Sequence, residues 1–224
     1  MNKVAFLTIV FPENEEFLKP FFNSLSAQTF KNFDLVIVND NFKNLNFYTN
    51  LYSNLNIINV NSSNTPAKNR EVGINYCLEK NYDILVFGDS DDYFKDNRIE
   101  KLLEFLIKAD VVVNDLSLFD DNGIYEKNYL SNRLKNLDTI DFEFIKDKNI
   151  FGMSNTAIIL KGIDKVSFNK EIIAVDWYFF KRILKKGCKA IFTNETESFY
   201  RQHKNNTAGL SVKNNKYYLW WETK

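Results

Sequence analysis

Tyr82-Asp83-Ile84-Leu85-Val86-Phe87-Gly88-Asp89-Ser90-Asp91-Asp92 is the stretch whose reading decides the fold. Residues 82–87 are a short run rich in apolar side chains, as expected of a strand buried on both faces. The run stops at Gly88, and Asp89, Asp91 and Asp92 follow at once. Carboxylates that close repel one another, so their ionised forms need a cation or basic groups nearby. In an open α/β sheet the carboxyl ends of strands are where ligands bind. Hard oxygen donors at such an end suit Mg²⁺ or Mn²⁺, which also bind the phosphates of a nucleotide. A solvated acidic turn leading into a helix capped by Asp96 is the other reading open at this point.

Outward from this strand, short β-rich runs alternate with amphipathic segments, the pattern of βαβ units and a mostly parallel sheet. Residues 4–10 read as a first strand. Phe17, Leu18, Phe21, Phe22 and Leu25 then recur at helical spacing, and Pro20 requires the regular helix to begin just before it. Residues 33–38 form a second strand ending in Asn39-Asp40, and residues 56–60 a third. Thr65-Pro66 supplies an N-cap hydroxyl and a proline at the first helical position; Ala67, Arg70, Ile74, Cys77 and Leu78 share one stripe of the helix that follows. Downstream, Ile99, Leu102, Leu103 and Leu106 mark a helix, residues 109–114 a strand, and Asp121-Asn122-Gly123 a hairpin turn. Residues 127–149 are polar and read as loops with a short helix. Strands are expected at 156–160 and 189–193, with a helix over 177–186 stopped by Gly187. No repeat or linker interrupts the chain, so residues 1–224 read as one domain with two halves, near 1–115 and over 116–224.

Composition narrows the function classes. The 224 residues are 45% hydrophobic and 26% charged, enough for a substantial core. Lys and Arg number 29 and so do Asp and Glu, which argues against bulk electrostatic binding to nucleic acid. Cys77 and Cys188 have no metal-type spacing, and two cysteines fit a reducing compartment. No stretch approaches the ~20 apolar residues of a membrane span. The expectation is a cytoplasmic protein, with the run Tyr217-Tyr218-Leu219-Trp220-Trp221 as a candidate contact with the inner membrane face or a partner.

Arg70 lies on the apolar stripe of its helix, one turn from the positive N-terminal end, where an unpaired guanidinium is costly. A salt bridge to a sheet-end carboxylate and contact with a diphosphate both account for it. Asp176 opens the aromatic-rich segment Asp176-Trp177-Tyr178-Phe179-Phe180, where it reads as a helix N-cap. Asp40, at a strand end, reads either as a turn residue or as an acceptor for a base N–H.

The order and spacing of these motifs resemble family-2 glycosyltransferases of the GT-A fold. Gly88-Asp89-Ser90-Asp91-Asp92 is similar to the family's Asp-x-Asp motif, and Pro12 with Asn14 to its opening loop, with Glu13 where an aromatic is usual. Arg70 with Gly73 resembles its Arg-Asn-x-Gly helix, Glu71 standing for the Asn. The resemblance implies a Rossmann-like nucleotide-binding half joined to an acceptor half. It implies a nucleotide-sugar donor, most simply a UDP-sugar, held by Pro12, Asn14, Asp40, Lys68, Arg70, Asp89, Ser90 and Asp91. It implies a divalent cation, Mn²⁺ or Mg²⁺, on Asp91 and His203, with Asp89 and Asp92 as further candidates. Arg201 is a neighbouring cation for phosphate. Asp176, preceded by Val175 where Glu is common, is implied as the base of an inverting displacement. Gly152, Met153, Ser154 and Trp177 fall on the side of the acceptor, a glycan or lipid-linked sugar. A sugar nucleotidyltransferase is the rival enzyme class, but the loop Phe11-Pro12-Glu13-Asn14-Glu15-Glu16 has no glycine and three acids, which repels a triphosphate. A non-catalytic nucleotide- or glycan-binding module is the other rival.

Overall fold

The computed structural model describes residues 2–203. Among them ten strands form one sheet: β1 (Val4–Val10), β2 (Phe33–Asp40), β3 (Asn56–Ser62), β4 (Ile84–Phe87), β5 (Tyr93–Phe94), β6 (Val111–Asp120), β7 (Gly123–Glu126), β8 (Thr139–Ile140), β9 (Thr156–Ile159) and β10 (Ala190–Arg201). The order is β3-β2-β1-β4-β9-β6-β10-β5, with β7 hairpinned on β6 and β8 on β10. β1 is parallel to β2 and β4, β2 to β3, and β6 to β10. β9 runs against both β4 and β6, so those two point the same way. The carboxyl ends of β1, β2, β3, β4 and β6 therefore gather on one edge of the sheet, where an α/β fold binds its ligands.

Alternation along the strands builds a core on each face. Ala5, Leu7, Val36, Val38, Leu85 and Phe87 meet Ala67, Ile74 and Cys77 of α3 (Pro66–Glu79) and Phe179 and Phe180 of α6 (Val175–Lys185). Val4, Phe6, Leu35, Ile37, Ile84 and Val86 meet the opposite layer: α1 (Leu18–Ser26), α2 (Leu45–Leu51) and α4 (Arg98–Phe105). Each fully buried Leu or Phe contributes roughly 1.5–3 kcal/mol. α5 (Phe142–Ile145) is the short helix of the polar region.

The start of α3 follows the sequence reading: Thr65 caps it by accepting the Lys68 N–H, and Pro66 fills the first position. Close packing follows from Gly73, because a Cβ there would lie 2.6 Å from Leu7 Cδ1 and 2.9 Å from Val38 Cγ2. In α1, Pro20 sits within the first turn, after a 3₁₀ turn over Pro12–Phe17. Three features differ from expectation. α2 has no counterpart in the sequence reading; only Leu45 and Tyr48 are buried, and the rest of its surface is polar or exposed. Asp96 does not cap α4. Residues 93–94 are pinned as β5 against β10, so the helix starts at Arg98 with Asn97 in the cap position. β10 runs on past Thr193, through a register break between Thr193 and Glu197, as far as Arg201.

Candidate active site

The turn after β4 is built by exclusion of side-chain volume. A Cβ on Gly88 would lie 2.2 Å from Phe6 Cζ and 2.7 Å from Phe94 Cζ, so only glycine lets the chain leave β4 here. The three aspartates that follow face different partners. Asp89 donates its main-chain N–H to Ser154 Oγ at 2.9 Å and accepts from Arg70 Nη1 at 3.2 Å. Asp91 Oδ2 stands 3.1 Å from His203 Nε2, and its carbonyl accepts from Arg201 Nε at 2.8 Å. Asp92 is fully buried; Oδ1 accepts the Arg201 N–H at 2.7 Å and Oδ2 has no hydrogen-bond partner among the described residues. The extension of β10 thus lays Arg201 and His203 over the turn. Phe17 and Phe119 each lie 4.4 Å from the Arg201 guanidinium, and Phe17 also meets the His203 ring.

The crowding of charge inferred from sequence shifts the acid–base balance of these groups. Burial, then Asp91 and Asp89, pushes the Asp92 carboxyl well above the usual range. Burial likewise raises Asp89, with Arg70 opposing and Asp91 reinforcing. Arg98 lies buried behind the turn, giving Nε to Asn114 Oδ1 at 2.8 Å and Nη2 to the Phe87 carbonyl at 2.9 Å. Burial pulls its guanidinium down to about 9, with Asp92 acting the other way. The inward-facing Asp92 anchors β10 by accepting the Arg201 N–H.

Arg70 links the acidic turn to the first turn of α6. Burial opposes its charge, but Asp89, Asp176 and Asp91 outweigh that and raise its pKa. Asp176 lies in the first turn of α6, not at its cap, which Ala174 occupies. Its Oδ1 accepts the Trp177 N–H at 2.8 Å, and Oδ2 accepts from Asn149 Nδ2 at 3.2 Å. Burial raises the Asp176 pKa while Arg70 lowers it. Tyr200 belongs to the same constellation: burial and then Asp92, Asp89, Asp91 and Asp176 drive its phenol well above the ordinary value.

At the ends of β2 and β3, an open cavity of about 530 Å³ is lined by Asn39, Asn41, Phe42, Lys43, Asn61, Ser62 and Ser63. That volume is within the range of small-molecule sites. Asp40 adjoins these residues and accepts from Asn69 Nδ2 at 2.8 Å and from Asn41 Nδ2 at 3.2 Å.

Several expected contacts take other partners. Lys68 gives its ammonium to Glu71 at 2.7 Å. Ser90 is buried. Ser154 lies under the turn, and Met153 lines a small cavity beside Arg70 and Asp89. Gly152 donates its N–H to Asn155 Oδ1 at 2.7 Å. Trp177 is buried, with its indole N–H on the Ile145 carbonyl at 2.7 Å, so it packs α5 on α6 and presents no open stacking face. Pro12 opens the 3₁₀ turn; the side chain of Asn14 and all of residues 204–224, including the aromatic run, lie outside the described set. Arg98, Asn149 and Tyr200 were not singled out from sequence. Only Arg98 left a signal, since it falls in line with Leu102 and Phe105 on the buried stripe of α4.

A divalent cation fits this edge as a shared ligand. Among the described residues no three His, Cys, Asp or Glu side chains form a ready-made cage. One carboxylate oxygen and one imidazole nitrogen, Asp91 and His203, do converge. That suits a cation held by few protein groups and completed by substrate phosphates.

Comparisons with known proteins bear on the fold and the family. No curated protein matches the sequence. Among solved structures, S. aureus TarS residues 1–349 in complex with UDP-GlcNAc is similar with a TM-score of 0.72 at 17% identity, covering 92% of this chain and 60% of that one. The mannosyltransferase PcManGT from Pyrobaculum calidifontis, in complex with GDP-Man and Mn²⁺, gives 0.64 at 15% identity, covering 92% and 58%. GalNAc-T7 with UDP, GalNAc and Mn²⁺ gives 0.63 at 12%, covering 91% and 44%. The chain therefore spans 60% or less of the length of these structures. The family model "Glycosyl transferase family 2" matches residues 6–168, well over half of the sequence. The chain belongs to glycosyltransferase family 2 and has the GT-A fold.

Proposed function

We propose that this chain transfers a sugar from a nucleotide-sugar donor, most simply a UDP-sugar, to a hydroxyl of a glycan or lipid-linked acceptor, with inversion at the anomeric carbon. One observation carries the reading: a single guanidinium, Arg70, pairs with Asp89 of the acidic turn and also feels the charge of the half-buried Asp176 carboxylate. The nucleotide base takes the cavity beside Asp40, while Pro12, Asn14 and the Asp89-Ser90-Asp91 turn bound the ribose and diphosphate. Lys68 reaches phosphate only by leaving Glu71. Asp91 and His203 hold the divalent cation, which supplies positive charge to the leaving diphosphate. Arg70 and Arg201 add fixed positive charge where negative charge grows. Asp176 takes the proton of the acceptor hydroxyl as its oxygen attacks from the face opposite the leaving group; a positioned base of this kind is worth about 10²–10⁴ in rate. Its carboxylate is suited to the task, because Trp177 N–H and Asn149 hold both oxygens in place. Gly152, whose lack of a side chain permits close approach, is assigned to the acceptor side. Among the described residues no helix is long and apolar enough to cross a membrane. A cytoplasmic site of action, with residues 217–221 touching the inner membrane face, belongs to the same proposal.

Incubation of the protein with individual sugar nucleotides, with and without Mn²⁺, tests the reading. Cation-dependent release of nucleoside diphosphate, accelerated by acceptor, is the expected result. Pyrophosphate-linked synthesis would instead establish a nucleotidyltransferase, and binding without turnover a recognition module.

A further inference from the structure

α3 grips the segment that leads to Asp176 in the manner of a neighbouring strand. Asn75 accepts the Val166 N–H on Oδ1 at 2.8 Å and donates Nδ2 to the Val166 carbonyl at 2.9 Å. One turn earlier on the same helix, Glu71 Oε2 accepts the Phe168 N–H at 2.6 Å. Lys68 covers that carboxylate at 2.7 Å. Burial opposes the charge on Glu71, but Lys68 and the Phe168 N–H outweigh it, so the carboxylate stays ionised and a strong acceptor. Val166 and Phe168 are both buried, and the Phe168 ring packs 6.1 Å from Tyr178 and 6.1 Å from Phe179, centroid to centroid, in the first turns of α6. Arg70, the residue before Glu71, points to Asp89. One helix therefore places the guanidinium directly and the α6 carboxylate through Phe168.

We propose that Glu71 and Asn75 are positioning residues for Asp176, coupling the donor-binding helix to the catalytic turn of α6 through the backbone of Val166 and Phe168. Glu71 stands where the family pattern has Asn, and its longer side chain gives it the reach to the Phe168 N–H. The proposal rests on the transferase reading above.

The test compares Glu71→Ala, Glu71→Gln and Asn75→Ala by steady-state transfer kinetics, with amide hydrogen exchange on the same proteins. Glu71→Ala and Asn75→Ala should lower kcat about tenfold or more while the donor KM stays within about threefold, since neither side chain is itself a donor contact and the Lys68 freed by Glu71→Ala can only lower that KM. Glu71→Gln keeps an acceptor oxygen for the Phe168 N–H and should retain most of kcat. Exchange at Val166, Phe168 and the first turn of α6 should quicken in the alanine variants. Should Glu71→Ala compromise folding, Phe168→Leu serves instead: it keeps the backbone bond to Glu71 but loosens the contact with α6, and should show the same loss confined to kcat. The proposal is overturned if Glu71→Ala raises the donor KM at constant kcat, which would place Glu71 at the donor through Lys68. It is equally overturned if Glu71→Gln falls as far as Glu71→Ala, or if exchange over α6 is unchanged. Absence of transfer by the wild-type protein refutes the transferase reading, and the exchange experiment then still decides the coupling.

Discussion

Replacing Arg70 with Met removes the charge that three carboxylates share while keeping much of the side-chain volume. At 3.2 Å from Asp89, the pair alone is worth about 5 kcal/mol of Coulomb energy at an effective dielectric of about 20. Desolvation takes back much of this, and both side chains remain about a quarter exposed. The net loss of stability is therefore about 2 kcal/mol, below the ~3–5 kcal/mol of a fully buried broken pair. For a chain of this length that lowers Tm by about 4–8 °C. On the proposed mechanism catalysis should suffer more, because the guanidinium would offset charge that develops on the diphosphate. Loss of one such contact costs about 10²–10³ in kcat. The pH profile carries a second signature. Burial already raises the Asp176 pKa and Arg70 holds it down, so Arg70→Met raises it further. A base acts only when ionised, so activity is present above this pKa and lost as pH falls through it. The acid limb must move to higher pH in the variant. Arg70→Lys restores the charge without the planar fork and should recover the limb better than the rate. Initial-rate transfer assays from acid to neutral pH, at saturating Mn²⁺, read both effects. A kcat within about threefold of wild type and an unmoved limb would refute the placement of Arg70 between donor and base.

Three further outcomes follow from the geometry. Asp176→Asn should leave donor affinity nearly intact by calorimetry while transfer falls at least ~10²-fold, and near-normal turnover would mean that another group is the base. Gly88→Ala must displace Phe6 or Phe94, since its Cβ would lie 2.2 Å and 2.7 Å from their ring atoms. It should cost about 1–3 kcal/mol in denaturant unfolding and raise the Mn²⁺ requirement, and an unaltered midpoint would show that the turn is not sterically set. Arg98→Met strands the Asn114 and Phe87 oxygens and leaves Asp92 uncompensated, so thermal unfolding should drop by an amount matching about 3 kcal/mol; a neutral effect would remove Arg98 from the support of the turn.

The parts of this fold that were legible in sequence are those whose signal is local. β1 to β4 announce themselves as apolar runs with turn residues at their ends, and Thr65-Pro66 marks the start of α3 by chemistry that needs no tertiary context. The acidic turn could be found because three carboxylates at a strand end are costly without a partner. The insertion of antiparallel β9 between β4 and β6 was not legible, because strand order depends on which edges meet in space. Nor was the reach of β10 to Arg201: the polar residues Asn194 to Thr196 around its register break look like the end of a strand. α2 hides among asparagines with one buried side. At the site, the acidic turn and Arg70 stood out by residue type and position, while Asp176 read as a helix cap and was singled out only through the family resemblance. Their supports were not legible, since Asn149, Asn75 and Glu71 reach across 27, 91 and 97 residues, and polar side chains carry no mark of a distant backbone partner.

The central claim is that Asp91 ties a divalent cation to the diphosphate of the donor. Calorimetric titration of the wild-type protein and Asp91→Ala with a nucleotide-sugar, with and without Mn²⁺, tests it most directly. The account predicts wild-type binding that strengthens sharply with Mn²⁺, and a variant in which that gain is lost by more than the ~10–100-fold that removal of a merely supporting contact costs. Equal, Mn²⁺-enhanced binding by both proteins would contradict it.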